Sequence, residues 1–243
     1  STNNQFALSQ TIYSDDSGDQ FGRAVVIDGN TLVLGHELND DEGTDAGAVY
    51  VYGLDTVANS LTEGQWVFQA KFTPTALVAG DDFGFSNAIG VDDATGTVVV
   101  GAKQHDNGGT NRGAVFIFKR TDGDEGPQDD VWSEGQVLNN AALPGLLVNS
   151  DEFGISLDLD GNTLIVGAYL KDSPTNSGRA YIFTRADGDS DFTLSQTIAG
   201  SESHSESRFG RAVAVSGTHY IVGAELHDRV ATAGDLDIPL IDY

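Results

Sequence analysis

A pattern of apolar and polar positions recurs four times along this chain. In each copy, a Phe-Gly pair is followed by a short alternating run, a polar turn, and a denser apolar run that ends in glycine. The pairs begin at Phe21, Phe83, Phe153 and Phe209, which are 62, 70 and 56 residues apart. Internal repetition on this scale predicts structural units that stack on one another or surround an axis.

Each repeat predicts four short β-strands. In the first copy, the alternating run RAVVI indicates a strand with one buried side, and the apolar run TLVLG indicates a strand buried on both faces. The turn between them, Asp28-Gly29-Asn30, favours a hairpin. The run GAVYVY gives the next strand, and a strand with a central Gln completes the set, at 6–12, 66–72, 132–138 and 192–198.

The predicted fold class is all-β, because no segment shows sustained helical periodicity. Antiparallel units of four strands are typical of the blades of a β-propeller. We predict a single domain over residues 1–243. Its four blades are expected near 21–72, 83–138, 153–198 and 209–243, the last completed by 6–12.

The charge balance limits the classes of partner. The chain has 37 Asp and Glu against 12 Lys and Arg, a formal net charge of −25. We expect no nucleic-acid partner, because phosphate binding needs a basic patch. We expect no membrane insertion, because no apolar run approaches the roughly 18 residues of a spanning helix. Cysteine is absent, which excludes disulfides and thiolate metal sites. The acidity suits a cation or a basic partner, but adaptation to a salty or extracellular medium, where salt screens the self-repulsion, explains it more simply.

The order of these motifs resembles the FG-GAP repeat. The apolar strand ends in Gly-Ala in three copies, whereas the first copy has Gly35-His36; the three pairs are Gly101-Ala102, Gly167-Ala168 and Gly223-Ala224. This repeat is shared by the head of integrin α subunits and by many bacterial and algal surface proteins. The resemblance covers essentially the whole chain. It implies a β-propeller and an extracellular or cell-surface, secreted location.

The integrin resemblance also implies how the ring closes. There, the N-terminal strand becomes the outermost strand of the last blade. Here, repeat four stops without its Gln-containing strand, and the chain begins with a spare one, Phe6 to Ile12. This match favours a closed ring of four blades, which leaves no open sheet edge to aggregate. The alternative is an open or partial array that another chain completes.

Calcium is the cofactor that the sequence could accommodate. Integrin-like blades often carry Asp-x-Asp-x-Asp-Gly after the first strand, but the corresponding turns here offer at most two carboxylates, so we transfer no calcium site to them. Two other turns are richer in the oxygen ligands that Ca²⁺ requires. The alternative is that both are solvated acidic hairpin turns. The candidate ligands are Asp122, Asp124, Asp130, Asp187, Asp189 and Asp191.

A second set of carboxylates recurs five residues after the glycine of each apolar strand. The up-and-down order of strands places these loops on the same face as the loops that lead into Phe-Gly. We predict that this acidic face binds a cationic or cation-bridged partner. The alternative is that the carboxylates accept backbone N–H bonds and hold the loops. The predicted face includes Asp40, Asp41, Asp81, Asp82, Asp106, Asp172 and Asp228.

The sequence contains no nucleophile elbow and no paired-carboxylate arrangement, so we expect no enzyme activity. We predict an extracellular, non-enzymatic interaction module, adhesive or structural, which binds a protein or a glycan. One alternative is a carbohydrate-binding or carbohydrate-processing propeller, with Trp66 or Trp132 as sugar platforms, although both occupy strand positions typical of core residues. Another alternative is a subunit of an extracellular filament or coat, which would place the chain in a larger complex.

Overall fold

The computed structural model describes residues 9–14, 20–123, 126–171, 176–200 and 206–226. Fourteen strands lie in this part of the chain, all in antiparallel sheets, and it contains no helix. The prediction of an all-β chain is therefore confirmed. We call the four successive sheets blades 1 to 4, and they are consistent with a propeller-like fold.

Blades 1, 2 and 3 each contain four strands in sequence order. Blade 1 consists of β1 (Ala24–Asp28), β2 (Thr31–His36), β3 (Ala48–Leu54) and β4 (Trp66–Phe72). Blade 2 consists of β5 (Ile89–Asp92), β6 (Thr97–Ala102), β7 (Ala114–Thr121) and β8 (Val131–Leu138). Blade 3 consists of β9 (Ser156–Asp160), β10 (Thr163–Ala168), β11 (Arg179–Thr184) and β12 (Thr193–Ile198). The described part of blade 4 consists of β13 (Phe209–Ser216) and β14 (His219–Ala224).

Apolar layers between consecutive blades form the core. On one face of blade 1, Val33 and Val51 pack with Val98 and Phe116 of blade 2 in a single buried cluster. Equivalent clusters join blade 2 to blade 3 and blade 3 to blade 4. Each middle strand has apolar side chains on both of its faces, so β2, β6 and β10 are buried along nearly their whole length.

The glycine directly before the third strand of a blade lies where the backbones of neighbouring blades touch. Gly113, just before β7, forms a parallel bridge with Phe153 of the next blade. A Cβ atom at Gly113 would clash with the Phe153 carbonyl oxygen, so only glycine permits this approach. The same bridge joins the other blades, at Gly47–Phe83 and Gly178–Phe209. The Phe-Gly pairs of blades 2, 3 and 4 therefore dock on a glycine of the preceding blade.

The Gln of the outer strand forms a second link between blades. The Gln136 side chain of blade 2 donates to the carbonyl oxygen of Phe192 in blade 3 and accepts from its amide, both at 2.8 Å. Gln10 makes the same pair of bonds with Trp66 of blade 1, at 2.9 and 2.8 Å. Residues 9–14 therefore lie against blade 1 in the place that the outer strand of a preceding blade would take.

The predicted ring closure falls partly outside the described residues, since residues 1–8 and 227–243 are not among them. Within the described part, no sheet joins blade 4 to blade 1. Val25 and Ile27 on the inner strand of blade 1 are 61% and 59% exposed, whereas the equivalent Ile89 and Val91 of blade 2 are buried. The position of Gln10 agrees with the predicted arrangement. The pairing of the N-terminal strand with the last blade, and the number of blades, stay predictions.

We expect Gly113→Ala to destabilise the fold, because the added methyl group meets the Phe153 backbone and the residue has a φ of 84°. The free energy of unfolding, measured by denaturant titration, should fall by about 2–4 kcal/mol. Gly80→Ala is the matched control, since Gly80 has a φ of 83° but nothing within 4 Å of its Cβ position. It should lose only about 1 kcal/mol. Equal losses would show that the contact between blades is not what requires glycine.

We expect Gln10→Ala to lower the free energy of unfolding by about 1–3 kcal/mol, because it leaves the Trp66 amide and carbonyl without these partners. Gln196 occupies the equivalent position in β12, but it is exposed and its side chain forms no hydrogen bond with a described residue. The control Gln196→Ala should therefore change stability by less than about 0.5 kcal/mol. A Gln10 variant as stable as the parent would mean that residues 9–14 are not docked on blade 1.

Candidate functional site

The loops that lead into Phe-Gly lie beside the loops that follow the apolar strands, as the strand order predicts. The amide of Asp82 donates to the carbonyl oxygen of Asp45 at 3.4 Å, and the amide of Glu152 donates to that of Asn111 at 3.1 Å. Loops of consecutive blades are thereby tied together. We call the surface that they form the loop face.

The residue directly before each Phe-Gly pair has a left-handed backbone. This conformation is uncommon for residues with a side chain, yet all four copies adopt it, with φ values of 59°, 55°, 51° and 54° at Gln20, Asp82, Glu152 and Arg208. The conformation occurs in the first copy as well as in blades 2 to 4, where the residue leads directly into a docked Phe-Gly pair. It fixes where these four side chains leave the backbone on the loop face.

Two of the predicted partner-binding carboxylates hold the loops in shape. Asp40 accepts a hydrogen bond from the amide of Asp45 at 2.9 Å, and Asp106 accepts one from the amide of Asn111 at 3.0 Å. In both loops the donor is five residues further along the chain. The loop-holding alternative therefore describes these contacts, although both Asp40 and Asp106 also remain exposed to solvent.

Asp81 lies in the interior and does not present its carboxylate to a partner, which corrects its assignment to the binding face. Its side chain is 2% exposed, and its Oδ2 lies 2.8 Å from the amide nitrogen of Val78 and from Nδ1 of His105. Asp151, the equivalent in blade 3, is also buried and accepts from Lys171 at 2.8 Å. The position of the loop was predicted correctly, but the direction of this side chain was not.

Asp41 and Asp82 form ion pairs within the chain, with Lys71 and Lys103 respectively. The Asp41 side chain is nevertheless 48% exposed, whereas that of Asp82 is 19% exposed. The two remaining members of the predicted face, at positions 172 and 228, lie outside the described residues. The exposed members that the structure describes are thus Asp40, Asp41 and Asp106.

A band of charged and aromatic side chains crosses the loop face at the ends of the inner strands β1, β5, β9 and β13. Its members take three equivalent positions in the repeat: before Phe, after the following Gly, and two residues after the glycine of the apolar strand. It holds four of the chain's 12 Lys and Arg residues. This charged band consists of Arg23, Glu37, Asp82, Phe85, Lys103, Glu152, Tyr169, Arg208, Arg211 and Glu225.

At the end formed by blades 1 and 2, two cations share one aromatic ring. The Arg23 guanidinium and the Lys103 ammonium lie 5.6 and 4.5 Å from the centroid of Phe85. Arg23 also pairs with Glu37, and Lys103 pairs with Asp82. The Glu37 side chain is 6% exposed, and burial raises its pKa although Arg23 and Lys103 oppose the change. This end is therefore largely paired internally.

The end formed by blades 3 and 4 repeats the geometry with fewer close contacts. The guanidinium carbons of Arg208 and Arg211 lie 5.9 and 5.4 Å from the centroid of Tyr169. Both guanidinium groups reach the same oxygen of Glu225, but only at 3.5 Å. Glu152 bonds to the Tyr169 hydroxyl, and burial raises the pKa of both groups.

The first predicted calcium turn lies on the opposite face from the loop face. There, Asp122 pairs with Arg120, and Asp130 accepts from the side chain of Gln69 at 2.7 Å. Position 124, the third candidate ligand of this turn, lies outside the described residues. The described carboxylates of this turn thus already have protein partners.

The second calcium turn is exposed. Asp187 accepts a hydrogen bond from the Ser190 hydroxyl at 2.6 Å. This bond and those from backbone amides to the same carboxylate lower the pKa of Asp187. Asp189 and Asp191 are exposed in the same turn. Among the described residues, no three His, Asp or Glu side chains are grouped to hold a metal ion. Calcium binding stays a prediction.

Both tryptophans contact neighbouring elements. Trp132 donates from Nε1 to the Gln69 side chain at 2.8 Å, and its ring meets Phe72 edge-on with centroids 5.8 Å apart. Trp66 packs against the buried cluster of blade 1, and its backbone is held by Gln10. These contacts match the core role that their strand positions predict, and they give no support to Trp66 or Trp132 as sugar platforms.

A model of the FG-GAP repeat matches residues 13–52, 66–118 and 148–183, more than half of the chain. This chain belongs to the FG-GAP repeat family. FG-GAP repeats are commonly extracellular adhesion or interaction modules and typically occur in extracellular or surface proteins. No curated protein matches the chain. In the part of the chain that the structure describes, no helix is long and apolar enough to cross a membrane.

In this FG-GAP protein, the motif residues and the charged band occupy adjacent positions with different roles. Phe83, Gly84, Phe153 and Gly154 of the motif are buried at contacts between blades. The residues that flank them carry the charges of the band. Aligning the repeats by their Phe-Gly pairs and by the glycines that end the apolar strands would have revealed the band, because its members recur at fixed offsets from these two motifs, although they lie in several loops.

We expect Asp81→Asn to lower the free energy of unfolding by about 1–3 kcal/mol, because it weakens buried bonds to the Val78 amide and His105. Asp41→Asn is the control on the same face, and it should change stability by less than about 1 kcal/mol because its ion pair is exposed. Thermal and denaturant unfolding of both variants would measure the difference. Equal effects would mean that Asp81 is not a loop-holding residue.

Proposed function

We propose that this chain is a non-enzymatic extracellular interaction module, adhesive or structural, which binds a protein or glycan partner through the loop face. The construction of that face carries the proposal: exposed carboxylates lie on loops that backbone hydrogen bonds tie to stacked sheets. Binding residues commonly lie on loops that a rigid scaffold positions. The common occurrence of FG-GAP repeats in extracellular interaction modules supports the same function.

The charge of the loop face favours a basic or cation-bridged partner. Asp40, Asp41 and Glu42 are consecutive and exposed, and Asp106 is exposed in the equivalent loop of blade 2. The net charge of −25 adds a long-range attraction that speeds association with a basic partner and weakens as salt rises. We propose no catalytic role, because Asp40 and Asp106 accept from backbone amides, and Asp41 and Asp82 pair with lysines.

We expect the double variant Asp41→Asn, Glu42→Gln to bind an immobilised lysine-rich peptide about three- to tenfold more weakly at low salt, because it removes two exposed charges from the loop face. The difference should largely disappear near about 1 M salt, where screening is strong. Surface plasmon resonance at several salt concentrations would measure both effects. Unchanged melting temperatures would show that the fold is intact.

The matched control is Asp189→Asn with Asp191→Asn, which removes two exposed charges from the opposite face. It should leave binding of the lysine-rich peptide unchanged within about twofold. If both double variants weaken binding equally, the peptide responds to net charge alone. That outcome would contradict a partner surface on the loop face.

A further inference from the structure

Two guanidinium groups at one end of the charged band form no hydrogen bond to any residue that the structure describes. Arg208 and Arg211 are about two-thirds buried, with 34% and 33% of their side chains exposed. Within the described residues, their side chains only stack on Tyr169 and approach one oxygen of Glu225 at 3.5 Å. Nε of Arg208 is buried and has no hydrogen-bond partner in the described part of the chain.

Other partly buried arginines of this chain are bonded much more fully. The Arg185 guanidinium donates to five oxygens, on Thr95, Thr97, Gly161, Asn162 and Gly188. Arg120 donates to the side chains of Thr31, Asp93 and Asp122 and to a backbone carbonyl.

A guanidinium group carries five N–H donors, and donors left without acceptors in a buried place are costly. The Arg208–Arg211 pair therefore has donor capacity that the described residues do not use.

The position of the pair also limits which described groups of the protein could accept these hydrogen bonds. Arg208 has the recurrent left-handed backbone, which fixes where its side chain leaves the loop. Glu225, the one carboxylate in contact with both arginines among the described residues, is 47% exposed and touches each only at 3.5 Å. Because both guanidinium groups are positively charged and lie on the ring of Tyr169, an anionic acceptor that contacts both is favoured.

We propose that Arg208, Arg211 and Tyr169 form a binding site for a carboxylate on an Asp or Glu side chain of a partner polypeptide. The planar guanidinium fork matches the two oxygens of a carboxylate and bonds it in parallel. Arg and Tyr are also among the residue types that contribute most to binding energy in protein interfaces. The inference rests on the proposed function, because it names one chemical group of the partner on the loop face.

The charge of the chain favours a polypeptide over an anionic glycan as the source of the carboxylate. A sulfated or uronate-rich glycan carries many charges in a row, and a protein with a net charge of −25 repels such a chain over its whole length. A single Asp or Glu side chain experiences little of this repulsion.

The test is a nuclear magnetic resonance titration of the whole chain, labelled with ¹⁵N. The probes are a blocked Gly-Ser peptide with one central Glu, the same peptide with Gln, and a sulfated disaccharide. We expect the Glu peptide to shift the Nε–Hε signals of Arg208 and Arg211 and the amide of Tyr169, and the Gln peptide to leave them in place. Absence of shifts with the Glu peptide, or equal shifts with the Gln peptide, would overturn the site. Tighter binding of the disaccharide would overturn its assignment to a polypeptide.

Variants of Arg211 test the guanidinium fork. Arg211→Gln should weaken binding of the Glu peptide about tenfold or more. Arg211→Lys keeps the charge but loses the fork, so its affinity for the Glu peptide should lie between those of Arg211→Gln and the parent. Arg112→Gln is the control, because it removes the same charge from a loop-face arginine that bonds Asn149. It should bind as the parent does, and an equal loss in this control would overturn the proposal.

The two proposals fail separately in these experiments. If the lysine-rich peptide shows no salt-dependent binding to the loop face while the Glu peptide still binds, only the proposal of an acidic partner surface is rejected. Loss of carboxylate binding, with the effect of the Asp41 and Glu42 variant retained, would reject the Arg208–Arg211 site alone. If Arg211→Gln lowers the melting temperature strongly, the titration of the unaltered chain with the Glu and Gln peptides still decides the case.

Discussion

The backbone contact between the Phe-Gly pairs of blades 2 to 4 and a glycine of the preceding blade is the constraint on which the rest of the structure depends. Without a Cβ on that glycine, the two chains approach closely enough for the amide of Phe83 to bond the carbonyl oxygen of Ala46 at 3.1 Å, and the same bond recurs in the next blades. This spacing lets the apolar faces of the sheets fill the space between them. It also fixes the loop before each Phe, and with it the position of the charged band.

The acidic composition of the chain serves two physical purposes. Buried or loop-holding carboxylates, such as Asp81 and Asp106, satisfy amides that the sharp loops leave without strand partners. Exposed carboxylates, such as Asp41, give the loop face a field that extends beyond the surface. Against this background, four cations gather in the band, where their interactions are local and are screened less by salt. We infer that the loop face combines long-range attraction with a distinct short-range site.

The strands and the stacking of blades could be predicted from sequence because the signals are local. Period-two patterns, hairpin turns and the Phe-Gly pairs each lie within a few residues. The roles of the carboxylates could not, because they depend on the direction of one side chain in a loop. Asp81 and Asp82 are adjacent, yet the first is buried against His105 and the second pairs with Lys103. Contacts between blades, such as Gln136 with Phe192, join residues 56 positions apart, and no local pattern indicates such a pair.

Amide hydrogen exchange of the Phe residues in the Phe-Gly pairs tests the central claim most directly. Phe83, Phe153 and Phe209 donate across blades to the carbonyl oxygens of Ala46, Arg112 and Ser177, at 3.1, 3.1 and 3.0 Å. These bonds are part of the cooperative structure if the blades form one stack. We therefore predict that the three amides exchange as slowly as those of the buried strand β6. Exchange at the rate of exposed loop amides, with β6 still protected, would contradict the account.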